Sequence, residues 1–173
     1  MGPTAKHDSQ QAPQATEDLA DGSLGEVIDP FTLEVVKNRL ASIADEMAVT
    51  VMRTARSFIV KEALDYSTAL FSKDGDVIAQ GTCLPLHLGS MPSALTAVVK
   101  RFSDDMAPGD IFALNDPYDG GTHLPDIIAI MPVFTDGQLL GFASCLAHMT
   151  DMGGRVPGSM ASDSREIFQE GLR

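Results

Sequence analysis

An α+β fold is predicted from three observations. A long helical period lies near the start of the chain, a shorter one lies in its middle, and two pairs of apolar runs each wrap around an Asp-Gly turn. The resulting order of helix, hairpin, helix, hairpin, with no internal repeat, describes a long N-terminal helix packed with β-hairpins and a second helix.

The first helix opens at Asp29-Pro30, because Asp at the N-cap and Pro at the first helical position form a start signal. Leu33, Val36, Leu40, Ile43, Met47 and Val51 recur at three- and four-residue steps, which marks one face of a helix of about seven turns ending near Arg56. Arg53 and Arg56 suit the negative end of that helix. The face reads as an ordinary core face. The first hairpin pairs residues 68–71 with 77–79 around Ser72-Lys73-Asp74-Gly75-Asp76. The second helix is expected over residues 92–102, with Leu95, Val98, Val99 and Phe102 inward. Pro108-Gly109 marks a turn, and residues 111–114 read as a strand. The second hairpin pairs residues 127–134 with 139–146 around Thr135-Asp136-Gly137-Gln138. Pro132 lacks an N–H, so the first of these strands is expected at an edge or bulged.

Composition bounds the rest. With 173 residues the chain holds one domain, and 44% apolar residues are enough for a core. A net charge of −12 argues against nucleic-acid backbones and anionic membranes as partners. Residues 1–26, rich in Gln, Ala, Pro, Ser and acids, read as a disordered tail or tag remnant in which His7 is solvated; the domain runs from 27 to 173. Cys83 and Cys145 have no CxxC spacing and read as buried thiols in a reducing compartment. No apolar run reaches a membrane span and no secretory h-region is present, so a cytoplasmic protein is expected.

The chemistry concentrates in residues 115–126, NDPYDGGTHLPD. Its prolines and glycines deny it regular structure and free its polar side chains to converge. Asp126 starts one strand of the second hairpin, with His123 three residues earlier, and His148 follows the end of the other strand. In an antiparallel pair those ends are neighbours, so His123, Asp126 and His148 are expected at one sheet edge. Two imidazoles and a carboxylate suit a divalent metal and leave positions open for water or substrate. Asp116, Asp119 and Asp151 are nearby alternatives or partners for the ligand histidines. The competing reading is that Asp and His in Gly/Pro loops only cap turns. His87, in PLHLG, reads either as a hydrogen-bonded core histidine or as a site residue.

Four stretches, LDYSTALFSKDGDVIAQ (64–80), LPLHLGSMPSAL (84–95), GDIFALNDPYDGGTHLPDI (109–127) and HMTDMGGRVPGSM (148–160), together with the closing EIFQEGLR, resemble the hydantoinase B / 5-oxoprolinase family, which also includes acetone carboxylase alpha subunits. The resemblance covers residues 29–173 and corresponds to the N-terminal part of larger subunits, which implies a fragment. It implies Mn or Zn held by Asp65, His123, Asp126 and His148. The implied reaction is ATP-dependent opening of a cyclic amide, with a hydantoinase A-like partner subunit binding ATP and phosphorylating the amide oxygen. Absence of GxxxxGK[ST] agrees with ATP being handled on that partner. Within this picture Asp151 is the candidate for positioning or deprotonating water, His87 a second catalytic candidate, and the Gly153 and Gly154 N–H groups candidates for an oxyanion site. Ketone carboxylation is the alternative within the family, and an inactive structural fragment the alternative outside it.

Overall fold

The computed structural model describes residues 28–173. The expected tail, with His7, lies outside the described residues. Helix α1 (Pro30–Thr54) and the short α2 (Phe58–Lys61) precede strands β1 (Tyr66–Ser72) and β2 (Val77–Gln80). The short α3 (Pro85–Leu88) and α4 (Met91–Phe102) follow, and then β3 (Phe112–Leu114), β4 (Asp126–Thr135) and β5 (Gln138–His148). The α+β class is as expected, but the two hairpins are one object. They join edge to edge through β1 and β5 into a five-stranded sheet of order β2-β1-β5-β4-β3, antiparallel throughout.

Strand β1 lies inside this sheet and is buried along nearly its whole length. Its alternation sorts the layers. Ala69 and Phe71 face α4 and share a core with Met91, Ala94, Leu95, Val98, Ile128, Ile130, Phe142 and Leu146. Tyr66 points the other way, against Ala48 and Val60. Thr68 lies on that same face and donates from Oγ1 to the Ala44 carbonyl at 2.9 Å. The α1 backbone approaches closely enough that a Cβ on Gly81 would stand 2.9 Å from the Ala44 oxygen. Only glycine lets the end of the first hairpin slide under α1 there.

Three expectations change. The apolar stripe of α1 is not a core face along its length. Asp29 caps Thr32 N at 2.9 Å, and the helix then projects beyond the sheet, leaving Leu33 and Val36 exposed; Ala44 and Ala48 carry its deep contact. Pro132 is on neither an edge strand nor the bulge itself, because β4 lies between β5 and β3. Strand β3 pairs only as far as Ile130, so on that side Pro132 has no neighbour that needs its missing N–H, and the register shift falls beside it at Val133/Phe134. Cys83 and Cys145 are free and half-buried rather than fully buried. No helix among the described residues is long and apolar enough to cross a membrane.

Candidate metal centre and the adjoining cleft

Strand register places the candidate donor set. Asp126, first residue of β4, pairs with His148, last residue of β5. The His148 N–H donates to the Asp65 carbonyl at 3.1 Å, just ahead of β1. Three strand ends thus bring Asp65, Asp126 and His148 to one edge of the sheet. A tight turn, closed by Asp126 N to His123 O at 3.0 Å, adds His123.

The loop that carries His123 is built rather than slack. Asp116 accepts from Tyr118 N at 2.9 Å and caps a 3₁₀ turn at Pro117–Asp119. Gly120 follows with φ +98°, and a Cβ there would lie 2.6 Å from the Ser93 carbonyl carbon. The loop therefore rests directly on the start of α4. The buried Asn115 side chain donates to the carbonyls of Leu124 and Leu172, each at 2.8 Å, tying the loop to the far end of the chain.

His123, Asp126 and His148 offer ligand atoms that all lie within 4.8 Å of one another. The two imidazole centroids are 5.0 Å apart. His123 Nε2 stands 3.1 Å from Asp126 Oδ1, at ion-pair distance. That contact is the only one Asp126 Oδ1 has among the described residues, and His148 Nδ1 is a buried polar atom without a hydrogen-bond partner there. Such atoms are costly unless something satisfies them. The other carboxylate oxygen, Oδ2, accepts from Thr122 Oγ1. The Asp126 carboxylate raises the His123 imidazole above its ordinary value against the opposing effect of burial, and Glu170 and Asp65 add to the rise. Burial works to raise Asp126, but its partners His123 and Thr122 and the charge of His87 outweigh it, and the carboxyl lies below its ordinary value. Convergent, with Asp126 and His148 buried and His123 half-exposed, this donor set fits a divalent ion.

Asp65 stands beside the set on the side of His87. The buried His87 ring places Nε2 3.4 Å from Asp65 Oδ1 and 3.8 Å from Asp126 Oδ2. Asp151 joins no donor set among the described residues. Its carboxylate accepts from Gly153 N at 2.7 Å, Ser159 Oγ at 2.9 Å and Gly158 N at 3.0 Å. The Gly158 and Gly153 N–H groups, then Ser159, hold it below the ordinary aspartate value, which makes it a weak base. The Gly153 and Gly154 N–H groups, expected to face an oxyanion, are instead taken by Asp151 Oδ1 and by Ser159 Oγ at 3.1 Å.

A cleft of about 330 Å³ opens beside the set. Pro117, Tyr118, Thr122 and His123 line one side, and Ser164–Ile167 with Glu170 line the other. Sequence reasoning did not single out Thr122, Ser67, Asn115 or Glu170. Thr122 stood next to His123 in the quoted loop and was open to notice. Ser67 and Glu170 are remote in sequence from what they meet, and no local pattern marks them.

The fold and site together define an α+β domain that presents a His-Asp-His donor set at a sheet edge, opening on a cleft. The chain belongs to the hydantoinase B/oxoprolinase family, whose pattern it matches over residues 29–173. It is 42% identical over 146 residues to the caprolactamase beta subunit of Pseudomonas jessenii, covering 84% of this chain and 25% of that protein. It is 41% identical over 145 residues to the 5-oxoprolinase of Saccharomyces cerevisiae, covering 83% of this chain and 11% of that one. The crystal structure of the ATP-dependent caprolactamase from Pseudomonas jessenii superposes with TM-score 0.79 at 41% identity, covering 85% of this chain and 25% of the other. A nucleotide-free acetone carboxylase structure superposes with TM-score 0.76 at 28% identity, covering 84% and 19%. The chain thus spans a quarter or less of the length of these relatives.

Proposed function

We propose that this chain carries the metal-dependent hydrolytic site of an ATP-dependent cyclic amide hydrolase of the hydantoinase/5-oxoprolinase type, working with a hydantoinase A-like ATP-binding partner. The observation that carries the reading is the convergence of His123, Asp126 and His148 beside the cleft, with the buried His148 Nδ1 left without a partner among the described residues. The relatives' ATP-dependent lactam chemistry supplies the reaction class.

An unstrained lactam is a poor electrophile. Phosphorylation of its oxygen by the partner converts the ring carbonyl into a C=N carbon that bears a phosphate ester. Water adds to that carbon and its proton passes to the ring nitrogen; the C–N bond then breaks to give an acyl phosphate, and a second water releases phosphate. A Mn or Zn ion held by His123, Asp126 and His148, with Asp65 beside them, supplies Lewis-acid activation of water and oxygen. Thr122 fixes Asp126 through Oδ2, leaving Oδ1 turned toward the histidines. Across the cleft, the Arg165 guanidinium suits a phosphoryl group and the exposed Tyr118 ring an apolar substrate face. We read Asp151 as holding its loop.

Ketone carboxylation is the second reading, favoured by the acetone carboxylase superposition. ATP turnover with 5-oxoproline, hydantoins, caprolactam and acetone, measured in the presence of the partner, separates the two. The reading itself is tested by elemental analysis. We expect about one Mn or Zn per chain in the natural protein, lost in His123→Ala with the fold retained. Equal metal in both proteins removes His123 from the site, and none in either leaves these histidines as loop stitching in an inactive fragment.

A further inference from the structure

His87 is 3% exposed and sits on the four-residue helix α3, outside the His-Asp-His set. Two buried contacts fix its ring. Ser67 Oγ, on β1, donates its only proton to the Leu84 carbonyl at 2.8 Å. Its oxygen is therefore left to accept from His87 Nδ1, 3.0 Å away. With Nδ1 so engaged, the Nε2 edge faces the ligand side, between Asp65 Oδ1 and Asp126 Oδ2. Ser67 is fully buried and Asp126 is 2% exposed, whereas the Asp65 side chain keeps 28% exposure.

We propose that His87 is a positioning residue: with acceptors at both ring nitrogens it acts as the doubly protonated imidazolium, Ser67 locks its ring, and its Nε2–H points between Asp65 and Asp126 at ion-pair distance, so that both carboxylates stay turned toward the His123/His148 side. The proposal rests on the metal reading given above. It differs from a catalytic role, because the ring is shut away from the cleft, whose lining does not include it. It also differs from ordinary core packing, since a core histidine would satisfy its second nitrogen on backbone or water. Carboxylates that ligate metals are themselves held by outer partners, and losing such a partner lowers metal affinity about 10–100-fold.

The test uses the natural full-length protein, titrated by calorimetry with Mn(II) and Zn(II), and melted in chelator and in saturating metal. Four proteins are compared: wild type, His87→Leu, His87→Gln and Ser67→Ala. Leu fills the space without a donor, whereas the Gln amide can still present N–H to the carboxylates. We expect His87→Leu to weaken metal binding about 10–100-fold and to lose most of the metal-induced rise in Tm. Ser67→Ala should weaken binding less, and His87→Gln should restore most of it. A packing role alone would lower the Tm of His87→Leu equally with and without metal and leave affinity unchanged; that result overturns the proposal. So does a Gln variant as weak as the Leu variant while folded. If wild type takes up no metal, the metal reading falls first; if wild type binds and His87→Leu binds equally, only the present inference falls.

Discussion

Helix α4 has 12 residues and buries Met91, Ala94, Leu95 and Val98, whereas α1 has 25 residues and buries only Ala44 and Ala48. Both show apolar positions at helical spacing. The difference lies in what they meet. The α4 stripe closes against Phe71, Ile128, Ile130 and Phe142 of the sheet. Helix α1 is buried at Ala44 and Ala48, and of its stripe Val51 packs, partly buried, against the cluster of Ala48, Val60 and Tyr66. Periodicity therefore announces that a face exists; the sheet decides how much of it is used.

That contrast is open to attack at several strengths. Leu95→Ala, at a position 1% exposed, should destabilise the fold by about 3 kcal/mol in denaturant titration; a loss under about 1 kcal/mol would mean α4 is not the core helix. Gly120→Ala adds a Cβ to a left-handed residue pressed on the Ser93–Ala94 backbone. We expect a loss of about 2 kcal/mol together with weaker metal retention, since the same loop carries His123; unchanged stability would detach the loop from α4. The next effect is local. Asp151 binds the Gly153 and Gly158 amides in its ionised form, with its carboxyl below the ordinary 3.8. A depressed carboxyl gives its stabilisation above the ordinary value and loses it as pH falls through the lower, folded one. Hydrogen-exchange protection of those two amides should therefore persist down to about pH 3.8 and fade below it, and protection that fades at higher pH would contradict the depressed carboxyl. The smallest effect belongs to the projecting part of α1. Leu33→Ala, at a position 55% exposed, should change stability by less than about 0.5 kcal/mol; a core-sized loss there would restore the face to the interior.

Much of this was legible in the sequence. Asp29-Pro30, the two Asp-Gly turns and the α4 stripe are local signals, and the elements they announce are present. His123, Asp126 and His148 could be brought together because hairpin geometry relates residues close in sequence. The union of the two hairpins through β1 and β5 was not legible, since sheet pairing at long range leaves no periodic mark. That pairing is what sets Ser67 and Asp65 near His87 and Asp126. Asp151 and the glycines after it looked like catalytic parts because spacing cannot show that their hydrogen-bonding groups satisfy one another.

The register of β4 and β5 runs without interruption from Asp126↔His148 to Val133↔Gly141, and its single irregularity lies beyond, toward the Asp136-Gly137 turn. Insertions and deletions are thereby given unequal standing along one hairpin. A residue gained or lost at the turn is absorbed past the shift, and the chemical end does not notice. A residue gained within the regular stretch rotates every side chain beyond it to the opposite face, turning Asp126 or His148 away from its partners. Length variation in this hairpin should thus be confined to the tip, however freely the residues around the cleft diversify.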